Sequence, residues 1–368
     1  MVFIEAATSR GTNLRRNMRN LQRSLGIFAV ALLCAGLAPA QERNRDILIL
    51  TSTNGTSNDL VVFRVAQGSN ALSMVNMLPT GGTGGASGNA GAVQFRNNFG
   101  AVANFGSNNV TQLMRSDNDI RVLGTLKLAT GCTNPVSVAL TDRELFVAGA
   151  NCAENHAWPS GDLDGSVVSL PDNSAGQIAV GQSWAAVTLK SGSVLQLPLT
   201  GRGVLIGTKT TVMLPANAND TPLGAAFWGD ILGLNPAHSA DSFALVNQAG
   251  NVFPVVGPQP PYPANAPCWL AKGAGNIWYS ANSPGQAISI FFSDSRGGVF
   301  YKSMPLPGTP TDITVSRDGK WLAVIYTAAD GSGAHVAVFA IDAFGDLSPV
   351  ATSNSIGVTA FSGVAISL

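Results

Sequence analysis

One recurring pattern limits the possible folds of this chain more than any other feature. A short β-rich run returns seven times: DILILTS from Asp46, FGAVANF from Phe99, ELFVAGA from Glu144, WAAVTLK from Trp184, DILGLNP from Asp230, NIWYSAN from Asn276 and WLAVIYT from Trp321. The intervals are 53, 45, 40, 46, 46 and 45 residues. Periods of about 45 residues are those of propeller blades, each a four-stranded antiparallel sheet. A blade that small cannot cover its own two faces, so the copies must cover one another in a ring. No stretch keeps a helical period. The expected fold is all-β, a seven-bladed propeller with four strands per blade.

The two ends support a ring. The run at Asp46 enters as a second strand with no first strand before it, and FSGVAISL (361–368) reads as a first strand with nothing after it. Together they complete one blade, which closes the ring and removes its free edges. Residues 41–368 therefore read as one domain. Blade 3 is the weakest copy. Its last two strands are either a stunted strand at Asn155–Trp158 followed by SVVSL, or a long loop over 151–164 before the final strand.

Residues 1–40 read as a targeting segment. Arg10, Arg15, Arg16, Arg19 and Arg23 precede an apolar run, LGIFAVALLCAGL (25–37), and then Ala38-Pro39-Ala40. This is the order of a signal peptide with a small-residue cleavage site. Met18 would begin a shorter version of it. Thirteen apolar residues fall short of the roughly 20 that a spanning helix needs. The expectation is an exported, periplasmic or extracellular protein that begins at Gln41 and has no membrane span after cleavage. Removing the segment leaves 16 basic and 20 acidic residues. That balance excludes electrostatic binding of nucleic acid. A charged fraction of 11 % is low, as expected if most strand residues face neighbouring sheets.

The wording of the repeats resembles the secreted bacterial seven-bladed propellers of the lactonase family, also called YVTN-repeat or carboxymuconate cyclase-like proteins. The residues that carry the resemblance are PTGGTGG (79–85), NAGAVQF (89–95), NFGSNNVTQL (104–113), TNPVSVAL (133–140), APCWLAK (266–272) and PTDITVSRDGKWLAVIY (310–326). They extend over essentially all of 46–368. The resemblance implies a propeller related to 6-phosphogluconolactonase-like enzymes. The His-rich active-site segments of those enzymes have no counterpart here, so no catalytic residue is carried over.

In a four-strand blade, the loops between second and third strands and the connections between blades share one face, where ligands usually bind. Polar groups expected there include Asn54, Asn58, Asn108, Asn109, Asn151, Glu154, Asn235, His238, Asp241 and Asn282. His238 and Asp241, in Pro-Ala-His-Ser-Ala-Asp, are the leading pair, because a carboxylate beside an imidazole orients it as a base. Glu154 and His156 in blade 3 are the further candidates. The bland alternative for all four is an ordinary polar loop or a packed side chain. Three dispersed histidines make no zinc spacing, and no cofactor or metal is expected. The glycine-rich stretch 81–91 lacks the Lys-Ser/Thr ending of a phosphate loop and reads as a blade-to-blade connection.

Cys132 lies just before the first strand of blade 3, and Cys152 just after the second. A two-residue turn at Asp142-Arg143 pairs 141 with 144, and so 132 with 153. Cys132 and Cys152 are then one position from direct opposition, close enough to bridge, and export favours oxidation. A Cys132–Cys152 disulfide is expected, with Cys268 as a buried thiol outside it. Two functions fit these residues. One is a monomeric enzyme that hydrolyses or isomerises a small lactone or related acid at the channel mouth. The other is a non-catalytic secreted binding or scaffold propeller for a protein or neutral carbohydrate, suggested by loops rich in Asn, Ser, Thr and Gly.

Overall fold

The protein is described here by a computed structural model. The described residues are 45–65, 71–214, 221–237, 243–254, 267–294, 297–357 and 361–368. They form seven four-stranded antiparallel sheets. All seven β-rich runs fall on second strands: β1 (Ile47–Ser52), β5 (Phe99–Asn104), β9 (Glu144–Gly149), β13 (Trp184–Leu189), β17 (Ile231–Pro236), β21 (Ile277–Asn282) and β25 (Trp321–Ala328). Residues 1–40, expected to be a targeting segment, and His238 and Asp241 lie outside the described residues.

Both faces of these strands are buried, so they are continuously apolar instead of alternating. The alternation survives in which neighbour each residue meets. In β1, Leu48 and Leu50 join Val93 and Val102 of blade 2 in one buried cluster. Ile49, between them, joins Val336 and Val338 of blade 7 in another. Each core thus lies between blades and not within one. The ring closes as expected. The last strand, β28 (Ser362–Ser367), pairs with β1 from Leu48↔Ser367 to Ser52↔Ser362, with a bulge before Ser52.

Blade 3 is complete. Its third strand, β10 (Cys152–Ala157), begins earlier than the stunted strand expected, and its fourth is β11 (Leu163–Ser169). The long-loop alternative is wrong. The fourth strand starts at Leu163, where backbone pairs Asn155↔Asp164 and His156↔Leu163 tie it to β10. The polar residues of CAENHA hid a strand because they are buried in pairs rather than against apolar neighbours.

The Cys132–Cys152 disulfide is present, with Cα atoms 5.5 Å apart. The one-residue mismatch is absorbed by a β-bulge. The first strand, β8 (Pro135–Leu140), pairs Leu140 with Leu145, but its register shifts between Pro135 and Ser137. Beyond the bulge Pro135 faces Gly149. That register continues to Cys132 opposite Cys152.

Candidate functional site

The first strands of the blades line the central channel. The face where they begin, here the upper face, is closed by the protein itself. Residues 88–92, just before β4 (Val93–Arg96) of blade 2, cross the axis. The Ala90 N–H donates to the Gly176 carbonyl of blade 4, and the Gly91 carbonyl accepts from Val138 N–H of blade 3. The Trp269 indole of blade 6 donates to the Asn89 carbonyl (3.1 Å). The Asn89 amide donates to the Val136 carbonyl (2.6 Å) and to the Ser362 hydroxyl of blade 1 (3.1 Å). Gly91 has φ +68°, and a Cβ there would lie 3.1 Å from Ser137 Oγ. Glycine suits both the left-handed backbone and the crowding. The stretch that read as a simple connection is a plug.

Asp312, on β24 (Gly308–Val315) of blade 7, is the buried carboxylate of this plug. One oxygen accepts from Gly91 N–H (3.3 Å) and Val364 N–H (3.1 Å), and the other from Ile313 N–H (2.8 Å). Burial pushes its carboxyl up to about 7, against the pull of those three donors. An acidic residue inside the apolar run PTDITVS was the signal that sequence reasoning passed over. On the opposite, lower face, exposed side chains join blades 2, 3 and 7. Asp142 Oδ1 accepts from Arg96 Nε (2.7 Å) and Asn97 Nδ2 (3.0 Å). Arg317 lies 3.9 Å from the same oxygen and also donates to Asn97 Oδ1. The Arg96 hydrogen bond holds the Asp142 carboxyl below its usual range.

The upper-face asparagines are tied into the protein. Asn58 donates to Asn104 Oδ1 (2.8 Å), and Asn104 donates to Asn109 Oδ1 (2.6 Å) and Thr111 Oγ1 (2.7 Å). Asn54 Oδ1 accepts from Gly85 and Ala86 N–H. Asn151 Oδ1 accepts from Thr133 N–H and Asn108 Oδ1 from Asn134 N–H. Between blades 5 and 6, Ser280 donates to Asn235 Oδ1 (3.2 Å), and Asn282 donates to Ser289 Oγ (2.7 Å). These side chains satisfy one another and loop backbone, as buried polar groups must. They give no support to a ligand-binding role.

Of the four proposed catalytic residues, the structure brings two together. His156 Nε2 lies 2.8 Å from Glu154 Oε1, and His156 Nδ1 lies 3.0 Å from the Gly161 carbonyl. A carbonyl only accepts, so Nδ1 carries a proton, and the Nε2···Oε1 contact holds a second. The Glu154 carboxylate also accepts from Ala129 N–H (3.0 and 3.3 Å). Ala129 lies in the connection that leaves blade 2. Glu154 and His156 are 0 % and 2 % exposed. Both side chains are buried, and through Ala129 the pair ties the connection leaving blade 2 to the third strand of blade 3. His238 and Asp241 lie outside the described residues. Ala237, which precedes them, is buried in one cluster with Ala90 of the plug and Trp269.

One cation on the upper face was not singled out from the sequence. Lys190 follows β13 and is half-buried. Its Nζ lies 3.9 Å from where a Cβ of Gly88 would stand, and burial lowers its pKa. At the end of WAAVTLK it reads as an ordinary strand terminus.

No protein-family model and no curated protein matches the chain. Solved structures do. A protein from Bacteroides uniformis, provisionally assigned as a 6-phosphogluconolactonase, superposes with a TM-score of 0.62 at 16 % identity, over 88 % of this chain and 100 % of that one. A Bacteroides fragilis protein with the same provisional assignment gives 0.61 at 13 % identity, over 88 % and 98 %. A virginiamycin B lyase from Staphylococcus aureus, solved with quinupristin, gives 0.51 at 14 % identity, over 77 % and 92 %. At these identities the likeness is one of fold, and it runs through the whole ring.

Proposed function

We propose that the chain is an exported, lactonase-like propeller that opens the ring of a small lactone, or isomerises a related acid, above the plug. The observation that supports this reading is the whole-ring likeness to two proteins provisionally assigned as 6-phosphogluconolactonases. Fold alone does not carry function, so the chemistry is assigned to named residues. His238 takes a proton from water, and Asp241 orients its imidazole. The water oxygen attacks the lactone carbonyl, giving a tetrahedral oxyanion. Lys190 supplies the positive charge that stabilises it. As the ring C–O bond breaks, the imidazolium returns the proton to the leaving oxygen, and a hydroxy acid departs. Because the plug closes the channel, substrate and product use the same face.

Export belongs to the proposal: residues 1–40 are the leader, and Gln41 begins the secreted protein. Among the described residues no helix is long and apolar enough to cross a membrane. The test is proton release from a panel of five- and six-membered lactones. His238→Ala should lose on the order of 100-fold or more in kcat, and Lys190→Met should lose kcat with little change in KM. No turnover of any lactone by the wild type would sink the reading. N-terminal sequencing of secreted protein checks the leader.

A further inference from the structure

The disulfide and the Glu154–His156 pair belong to one cluster. Cys132 Sγ, Cys152 Sγ and a Glu154 carboxylate oxygen all lie within 4.8 Å of one another, and all three residues are buried. A disulfide staple needs no carboxylate beside it, and burying one has a cost unless it is paired. Here the carboxylate is held against the sulfurs by its own imidazole, which is itself anchored on the Gly161 carbonyl. The backbone fits closely around the sulfurs too. A Cβ on Gly149 would stand 2.7 Å from Cys152 Sγ and 2.7 Å from the Thr133 carbonyl oxygen.

Two sulfurs and one carboxylate, oriented by a histidine behind it, make a zinc donor set with a histidine in the outer shell. We propose that this cluster is a redox-gated zinc site in which reduced Cys132 and Cys152, together with Glu154, bind one Zn²⁺ between blades 2 and 3. His156, hydrogen-bonded to the Glu154 carboxylate, is a positioning residue. Thiolate ligands select zinc over the hard cations calcium and magnesium. Tetrahedral zinc with bonds of about 2.0–2.3 Å needs its donors closer together than 4.8 Å and farther apart than a bonded sulfur pair, so the sulfurs must separate.

The chemistry balances with a small dithiol as reductant. The dithiol gives two electrons and two protons to the S–S bond, which breaks into two thiols, and the dithiol becomes a disulfide. Zinc then displaces the two thiol protons to solvent and forms two Zn–S bonds. The oxidised protein has no thiolate to offer and binds no zinc here. The site is separate from the lactone chemistry proposed above the plug, and neither depends on the other.

The test uses the full chain, oxidised or treated with a small dithiol and then desalted anaerobically, with Co²⁺ as the probe. Reduction should add two titratable thiols. The reduced protein should then bind one equivalent of Co²⁺ with a thiolate-to-cobalt charge-transfer band that Zn²⁺ removes, and the oxidised protein should show none. Cys132→Ser and Cys152→Ser should each abolish the band. Glu154→Gln and His156→Gln should weaken binding by about 10-fold or more. Cys268→Ser, with its thiol outside the cluster, should bind as the wild type does. Circular dichroism of each variant separates a lost ligand from a lost fold. A disulfide that resists the dithiol in the folded protein, a reduced protein without the band, or a band of unchanged affinity in Glu154→Gln would each overturn the proposal.

Discussion

The third strands of blades 3 and 7 occupy the same place in their sheets and are held there by opposite means. In blade 7, β26 (Ala334–Ile341) presents Val336 and Val338, fully buried, to a cluster shared with blade 1. In blade 3, β10 presents Glu154 and His156 toward blade 2 and Asn155 toward blade 4. Asn155 donates to Glu144 Oε2 (2.8 Å) and accepts from Leu205 N–H (3.2 Å). An apolar strand is fixed by volume, so its stability should fall in proportion to what is removed. A strand fixed by matched polar pairs should respond steeply to the loss of one partner and mildly to the loss of both.

The largest expected effect breaks a pair. Glu154→Leu leaves the His156 nitrogen buried without its partner and should cost about 3 kcal/mol. Glu154→Leu with His156→Leu should be more stable than the single variant, because neither partner is left alone. Urea unfolding measures both, and strictly additive losses would mean that the pair is not the fastening.

Asp312 is blade 7's own exception to apolar fastening. Its pKa is raised in the fold to about 7, so the folded protein holds the proton more tightly than the unfolded chain. Stability from this group is full below the ordinary carboxylate range. It falls as pH rises from about 4 to about 7 and is flat above that. Asp312→Asn should remove this contribution to the slope, and the difference between the two melting profiles measures it. Identical profiles would rule it out.

Val338→Ala should cost about 2 kcal/mol, from two lost buried carbons and the cavity they leave. A loss as steep as that of Glu154→Leu would erase the contrast between the strands. The smallest effect is expected at the lower face, where blades 2, 3 and 7 meet at exposed charges. Asp142→Asn should cost less than about 1 kcal/mol after solvent screening. That contribution is present at neutral pH and is lost as pH falls below the usual carboxylate range, because Asp142 titrates low. Unfolding in high salt should shrink it further.

The ring was legible because its signal is local and repeated. Strands buried on both faces leave unbroken apolar runs, and seven of them kept their spacing. The disulfide was legible to within one residue, since the bulge between Pro135 and Ser137 leaves no mark in composition. The plug was not legible. GGTGGASGNAG reads as any flexible connection, and only the closed ring brings Asn89 and Gly91 against blades far off in sequence. Lys190 and Asp312 were missed for the same reason, because their neighbours come from other blades. Glu154 and His156 stood out in the sequence, and the fold sets them side by side. Their spacing of two puts them on one face of a strand, but spacing alone cannot say whether that face meets solvent or another blade.

The plug also changes what kind of object the ring is. Stacked repeats normally feel only the units on either side, so they can fray one at a time. Here a few residues at the centre are bonded to blades 1, 3, 4, 6 and 7. Blade 5 is linked through Gln177 of blade 4, whose oxygen accepts from Ala225 N–H (2.6 Å). The wheel has a hub. Prising out any spoke disturbs the axle, so the protein should come apart as a whole and not blade by blade.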